Sequence, residues 1–308
     1  MDHRYPLSPD MRAFVEHSQS FQTGSDELEA RRAAFLRMCR HYTPYPVPGS
    51  VRITDADVDG IGIRTYRPAI DPPAGGWPTM LYLHGGGWNM GSLDTHDWFA
   101  FALLRRMPIA VVAVDYRLAP EAPYPAALHD ALQVHDAVRA GEVAADLNRE
   151  RLVVCGDSAG GTLAAALCIA LRDTGGRQPD AQALLCPVLS ARTGFPSMHT
   201  CSDAPLLTAA GLAASIAGYL PVAADRANPR AMPLEATYVD GLPRTFVAVA
   251  EFDPLRDQGR AYAGVLRKAG VGVTEYVGAG LVHGSLRAPH IAEVDALYGA
   301  LCDFLRDV

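Results

Sequence analysis

The chain has 308 residues, of which 49% are hydrophobic, and it carries a formal net charge of −7 at pH 7. This apolar content is enough for a large buried core, arranged either as one domain with a cap or as two domains. The acidic balance argues against a nucleic-acid partner or an anionic membrane surface. The longest apolar stretch, 162–171, is too short for stable insertion into a membrane.

The amino terminus and the cysteines favour a cytoplasmic location. Residues 1–6 include acidic and aromatic side chains where a secretory signal peptide needs basic residues followed by an apolar run. The six cysteines form no CxxC pair. We therefore expect buried free thiols, with neither a disulfide framework nor a metal site.

The first part of the chain is predicted to form helices and then a hairpin. Segments 11–15 and 28–42 carry apolar residues at helical spacing, and prolines follow them at 44, 46 and 48. Segments 51–57 and 61–67 then alternate apolar and polar residues around Asp59-Gly60, which predicts two antiparallel strands joined by a tight turn.

From residue 79 onward the pattern becomes typical of an α/β protein. Short apolar runs predict strands at 80–83, 109–114, 152–155, 183–186, 246–250 and 271–277. Between and after them, helices are predicted at 97–106, 125–140, 159–172, 258–269 and 290–306. Continuous apolar strands of this kind favour a parallel sheet that is buried on both faces.

Together these elements predict a mostly parallel eight-stranded sheet flanked by helices, with a helical cap. The strand pattern is interrupted at 188–243, where many prolines surround one helical stretch at 209–220. We expect a catalytic core at 47–188 and 240–308. The cap is expected to combine 1–46 with 189–239.

Ser158 lies in the pentad Gly156-Asp157-Ser158-Ala159-Gly160, between a predicted strand and an alanine-rich predicted helix. A serine at such a strand-turn-helix junction has a strained backbone that lifts its hydroxyl out of the sheet. The glycines on either side allow the strand and the helix to approach closely. This pattern predicts a nucleophilic serine.

A second glycine motif, His84-Gly85-Gly86-Gly87, follows the predicted strand at 80–83. Glycines leave backbone N–H groups free to donate to the oxyanion that forms during acyl transfer. We expect Gly85 and Gly86 to be such donors, with Ala159 as the third, and Gly87 to provide the turn. A dinucleotide site is the alternative, since Gly85, Gly87 and Gly91 form GxGxxxG, but that spacing departs from GxGxxG.

A nucleophilic serine needs a histidine base, which in turn is oriented by a carboxylate. His283 follows the predicted strand at 271–277, whereas His290 begins the last predicted helix. Asp253 stands in the turn after the strand at 246–250. Asp257 is the alternative acid, although it is better placed to cap the next helix, and Glu251 still lies in the strand.

Several other polar residues are expected to have structural roles. His84 shapes the glycine loop, Asp157 braces the turn at Ser158, and Asp115 and Arg117 link loops. The side chains that we expect to line the substrate pocket are Trp88, Asn89, Met90, Leu206 and Leu207, although apolar residues near a cap often serve only in packing.

These motifs together resemble the hormone-sensitive lipase family of α/β-hydrolases. The matching segments are HGGGW at 84–88, DYRLAPE at 115–121, GDSAGG at 156–161, DPLRD at 253–257 and HG at 283–284. The chain departs from the family pattern at Ser285, where phenylalanine is common, and at Gln258, where glutamate is common. Neither position belongs to the predicted triad.

The resemblance implies hydrolysis of small-molecule carboxylic esters with short acyl chains, no cofactor, and homodimers formed through edge strands. An amidase, a lactonase or a deacetylase would use the same triad, because the leaving group is selected elsewhere in the protein. A ligand-binding receptor on a hydrolase scaffold is a further alternative. The presence of His283 argues against it.

Overall fold

The computed structural model describes residues 4–44 and 46–307, and within them eight strands form one sheet. The order across the sheet is β1-β2-β4-β3-β5-β6-β7-β8, in which β2 pairs antiparallel with β1 and β4 and all other pairs are parallel. The strands are β1 (Val51–Val58), β2 (Ile61–Pro68), β3 (Trp77–Leu83), β4 (Ala110–Val114), β5 (Leu147–Asp157), β6 (Ala181–Leu185), β7 (Arg244–Phe252) and β8 (Val273–Val282). The predicted mostly parallel eight-stranded sheet is confirmed.

The helices alternate with the strands through most of the chain. They are α1 (Pro9–Ser20), α2 (Leu28–Tyr42), α3 (Asp97–Leu104), α4 (Ala126–Ala140), α5 (Ala159–Thr174), α6 (Pro196–Thr200), α7 (Ala209–Tyr219), α8 (Arg256–Lys268) and α9 (Ala292–Arg306). Helix α6 is not predicted from the sequence, because a five-residue helix is too short to show a helical period. Among the described residues, no helix has both the length and the apolar character needed to cross a membrane.

The hairpin of β1 and β2 has the predicted turn. Asp59 and Gly60 both have positive φ, at 50° and 88°, which is the backbone geometry of a two-residue hairpin turn with the right-handed twist of its strands. The Asp57 carboxylate accepts a hydrogen bond of 2.7 Å from the Gly60 amide.

Several strands differ in extent from the prediction; β5, for example, covers Leu147–Asp157 where 152–155 was expected. The strand expected at 271–277 begins at Val273 and continues to Val282. Gly278 and Gly280 interrupt the apolar pattern, but the strand continues through an irregularity in its pairing with β7, where Gly280 has a φ of 70°. The strand expected at 183–186 covers Ala181–Leu185 instead. Cys186 lies outside it and has a φ of 47°.

Apolar side chains pack on both faces of the sheet. All five residues of β4 are buried. Ala110, Val112 and Val114 face a cluster that includes residues of α4, α5 and α8. Val111 and Ala113 face the opposite cluster, which includes residues of α3 and α9. The sheet is thus covered on both sides, as the continuous apolar strands predicted.

The two segments predicted to form the cap contact each other. The Tyr5 hydroxyl donates a 2.7 Å hydrogen bond to Asp203, and the Tyr5 ring packs with Cys201 and Ala204. Helices α1 and α2 lie in the first segment, and α6 and α7 lie in the second. The division into cap and core stays a prediction, and residues 1–3, 45 and 308 lie outside the described residues.

Arg117 connects the loop after β4 to α4 through Asp130. The Asp130 carboxylate is buried and accepts hydrogen bonds from the Arg117 backbone amide at 2.8 Å and from its guanidinium Nη2 at 2.6 Å. Because the backbone amide and the side chain of Arg117 share one acceptor, this contact fixes the direction of the chain after β4.

We expect Asp130→Asn to lower the free energy of unfolding by about 1–3 kcal/mol, because the neutral amide is a weaker acceptor for two donors. Denaturant unfolding followed by circular dichroism measures the change. The matched control is Asp303→Asn, which removes an exposed ion pair with Arg306 and should have a much smaller effect. Equal effects of the two substitutions would contradict the structural role of Asp130.

Candidate active site

Ser158 stands between the end of β5 and the start of α5 in a strained conformation. Its φ of 54° and ψ of −118° lie outside the regions that non-glycine residues favour. A Cβ at Gly160 would lie 1.9 Å from the Leu83 carbonyl oxygen, and one at Gly156 would lie 2.2 Å from the Gly160 carbonyl oxygen. Only glycine at both positions allows α5 to approach the sheet this closely, and this approach presents Ser158 at the strand ends.

His283 connects Ser158 to Asp253 through two hydrogen bonds. Its Nε2 lies 3.0 Å from Ser158 Oγ, and its Nδ1 lies 2.8 Å from Asp253 Oδ2. The three residues come from the carboxyl ends of β5, β7 and β8, which meet at the same edge of the parallel sheet. The side chains predicted as nucleophile, acid and base are thus brought together, although their catalytic roles stay a prediction.

The position of Asp253 is fixed by its own turn. Its side chain is fully buried, and its Oδ1 accepts a 2.8 Å hydrogen bond from the Leu255 amide. The two alternative acids point elsewhere. Asp257 accepts from the Ser197 amide, and Glu251, which lies in β7 as predicted, accepts from the Gly280 amide. His290 is exposed.

The glycine loop after β3 differs from the prediction at Gly85. The Gly85 amide donates a 2.9 Å hydrogen bond to Asp157 Oδ1, and the Tyr82 hydroxyl donates to the same oxygen at 2.6 Å. The assignment of Gly85 as an oxyanion donor is therefore wrong, because the carboxylate beside Ser158 occupies its N–H. Asp157 braces the turn, as expected, and also holds the glycine loop.

The next two amides of the loop are available as donors. Gly86 and Gly87 donate no hydrogen bond to any described residue, and the Ala159 amide is the first of α5, where helical amides lack an intrahelical acceptor.

The loop is not a nucleotide site of the GxGxxG type, since that fold starts a helix at the glycines, whereas α3 begins only at Asp97.

His84 holds the glycine loop through ring stacking and a hydrogen bond. Its ring stacks on Tyr116 with a centroid distance of 4.2 Å, and its Nδ1 lies 2.8 Å from the Gly85 carbonyl oxygen. Burial lowers the pKa of His84 and lowers that of the neighbouring His96 well below its usual value. Both rings are therefore neutral at neutral pH, which is consistent with a structural role for His84.

A cavity of about 380 Å³ lies beside α2 and the glycine loop. Met90 and Leu206, two of the five side chains predicted to line the pocket, are on its wall. Trp88 is not, because it is fully buried and stacks on Tyr219 at 4.4 Å. The prediction that Trp88 contacts substrate is therefore wrong, and it serves in packing. Asn89 and Leu207 are not on this wall either.

Within the described residues, one cluster has the composition of a metal site. The potential ligand atoms of Cys186, Asp253 and His283 lie within 4.8 Å of one another. Asp253 and His283 are already hydrogen-bonded to each other, and burial raises the pKa of Cys186 well above its usual value. The cluster therefore consists of a neutral thiol beside a hydrogen-bonded pair.

Two arginines near the site are not among the predicted site residues. Arg32 of α2 donates to the Asn89 carbonyl oxygen at 2.8 Å and pairs with Glu121, so it ties α2 to the glycine loop. Arg287 lies four positions after His283 and contributes both to the cavity beside α2 and to the small cavity around Ser158. No sequence pattern distinguishes Arg287 from the other arginines of the chain.

Comparisons with known proteins agree with this architecture. A family model described as the alpha/beta hydrolase fold matches residues 80–287. Esterase LipI of Mycobacterium tuberculosis is 41% identical over 267 residues, which cover 84% of this chain and 81% of that protein. Ethyl acetate hydrolase of Pseudomonas putida is 38% identical over 244 residues, covering 78% of this chain and 76% of that protein.

Solved structures give the same result. An esterase from the bacterial hormone-sensitive lipase family has a TM-score of 0.87 at 27% sequence identity, with 97% of this chain and 98% of that chain covered. Its fold, the family model and the identity to the curated esterases all point to one group of enzymes. The chain belongs to the α/β-hydrolase fold family, among the carboxylesterases related to hormone-sensitive lipase.

Proposed function

We propose that the protein hydrolyses short-chain carboxylic esters by an acyl-enzyme mechanism, with Ser158 as the nucleophile, His283 as the base and Asp253 as the residue that orients the imidazole. The observation that carries this proposal is the continuous hydrogen-bonded chain from Asp253 through His283 to Ser158 Oγ. A receptor that only binds a ligand would not need this arrangement.

In the first step His283 Nε2 accepts the proton of Ser158 as Oγ attacks the ester carbonyl carbon. Asp253 stabilises the imidazolium that forms. His283 then donates this proton to the departing alkoxide, and the acyl group remains on Ser158 Oγ. In the second step the same ring accepts a proton from water, the resulting hydroxide attacks the acyl carbon, and Ser158 Oγ leaves with the proton as the carboxylic acid is released.

The negative charge of the tetrahedral intermediate needs fixed donors. We assign this role to the amides of Gly86, Gly87 and Ala159. Gly86 was predicted as a donor and Gly87 is a new assignment, because the amides of both have no acceptor among the described residues. Ala159 adds the positive end of the α5 dipole. Asp157 acts indirectly, because it holds Gly85 and so positions the two amides that follow.

The cavity beside α2 supports a preference for small substrates. Ser158 and His283 line the smaller neighbouring cavity, and Arg287 lines both. Its volume of about 380 Å³ is at the lower end of the range for small-molecule sites. Met90 and Leu206 supply apolar contact surface on its wall. Asn89 and Leu207, which lie next to them in the chain, stay predictions as substrate contacts.

We also propose a domain organisation, a cellular location and an oligomeric state for the protein. We assign residues 47–188 and 240–308 to the catalytic core and 1–46 and 189–239 to the cap. The free, buried state of all six cysteines supports a cytoplasmic location. Strand β8 is at the edge of the sheet with Val277 exposed, which supports a homodimer formed by edge strands.

We expect Ser158→Ala to lower kcat for 4-nitrophenyl butyrate by at least about a thousandfold, because no other group can take up the acyl chain. The steady-state rate of nitrophenol release is the readout, and circular dichroism checks the fold. The exposed Ser50 provides the control, since Ser50→Ala should retain parent activity. Parent-like turnover by Ser158→Ala would refute the proposal.

Substrate class is tested by a series of nitrophenyl esters with acyl chains from acetyl to palmitoyl, together with amide and lactone analogues. We expect kcat/KM to be highest for the short acyl esters and to fall by at least about tenfold for the longest, because the small cavity beside α2 buries only part of a long chain. Faster hydrolysis of the amide or the lactone than of every ester would instead assign the enzyme to one of those classes.

A further inference from the structure

Arg287 places a positive charge next to the candidate active site. It ends the short helical turn Ser285–Arg287 that follows His283, and its Nη1 donates to the Gly284 carbonyl oxygen at 3.2 Å. On the cap side, the guanidinium lies 5.6 Å from the centre of the Phe35 ring. Arg287 is therefore held between the residue that follows His283 and helix α2, at the boundary of the two cavities.

This charge has no counter-ion among the residues that the structure describes. Among residues 4–44 and 46–307, no carboxylate forms an ion pair with Arg287, and its Nε is buried without a hydrogen-bond acceptor. Several other partly buried arginines of the chain are paired, for example Arg32 with Glu121, and Arg64 with Asp55 and two further aspartates. Because a buried donor of an unpaired cation is costly, Arg287 is an exception that needs an explanation.

The cavity beside α2 carries a surplus of positive charge. Arg31 also lines it and also forms no ion pair with a described carboxylate, whereas Asp26 is the one acid on the wall. Asp157, which lines the smaller cavity around Ser158, already accepts hydrogen bonds from Tyr82 and Gly85. The cavity is thus suited to a ligand with a negative charge.

We propose that Arg287 binds a free carboxylate on the substrate, so that the preferred substrates are esters with a second, ionised carboxyl group. Half-esters of dicarboxylic acids and acyl esters of hydroxy acids have this chemistry. A guanidinium offers parallel N–H donors that match the two oxygens of a carboxylate. This inference rests on the proposed ester hydrolysis, which it deepens by naming the substrate class.

The test compares pairs of esters that have the same shape and differ in charge. The first pair carries the charge on the acyl side: monoethyl glutarate and ethyl 5-methylhexanoate. The second pair carries it on the alcohol side: 4-acetoxybutanoate and 4-methylpentyl acetate. In each neutral member an isopropyl group replaces the carboxylate. The measured quantity is the ratio of kcat/KM for the anionic member to that for the neutral member, obtained by pH-stat titration.

For at least one pair, we expect the parent ratio to exceed one and Arg287→Met to lower it by about tenfold to a hundredfold, the effect of losing a charge-assisted hydrogen bond. Arg287→Lys should retain part of the preference. The control is Arg260→Met on α8, where an exposed arginine pairs with Glu275, and it should leave the ratio unchanged. Because both esters of a pair are measured on the same variant, a general loss of activity from altered packing of α2 cancels in the ratio.

The inference is overturned if neither pair shows a preference for the anion, or if Arg287→Met changes the ratio no more than Arg260→Met does. A lack of Ser158-dependent turnover of all four esters would contradict the proposed function instead. Calorimetric binding of monoethyl glutarate to Ser158→Ala then tests Arg287 separately. Binding weakened at least tenfold by adding Arg287→Met supports the inference, and unchanged binding overturns it.

Discussion

The close contact between α5 and the carboxyl end of β3 is the constraint on which the active site depends. With Leu83 O only 1.9 Å from the position of a Cβ at Gly160, helix α5 can occupy its place only if that side chain is absent. The contact leaves Ser158 no room to relax from its φ of 54°. The position of Ser158 Oγ, the reach of His283 and the direction of the Ala159 amide all follow from this one approach.

Asp157 extends the same constraint to the neighbouring strand. Its carboxylate accepts from Tyr82 on β3 and from Gly85 in the glycine loop, so the residue before Ser158 also holds the loop that faces it. A single half-buried acceptor therefore holds both halves of the site. This explains why the donors are better assigned one residue further along the loop than the sequence predicted.

The fold and the three central side chains could be predicted from the sequence, because they depend on local patterns. Apolar runs placed the strands, and the order Ser158, Asp253, His283 at successive strand ends identified the polar residues. The burial of Trp88 and the acceptor of the Gly85 amide could not be predicted, since the direction of a loop residue depends on partners distant in the sequence. These partners are Tyr219 for Trp88 and Asp157 for Gly85. Arg287 was missed for a similar reason, because a missing counter-ion is visible only in three dimensions.

The central claim is that Ser158 forms a covalent acyl intermediate with the help of His283. The most direct measurement is mass spectrometry of the protein after reaction with a nitrophenyl phosphonate ester, which traps a nucleophilic serine. The account predicts one phosphonyl group per chain, on the peptide that contains Ser158, with labelling absent in Ser158→Ala and strongly slowed in His283→Ala. An adduct on Cys186, or equal labelling of the parent and Ser158→Ala, would contradict it.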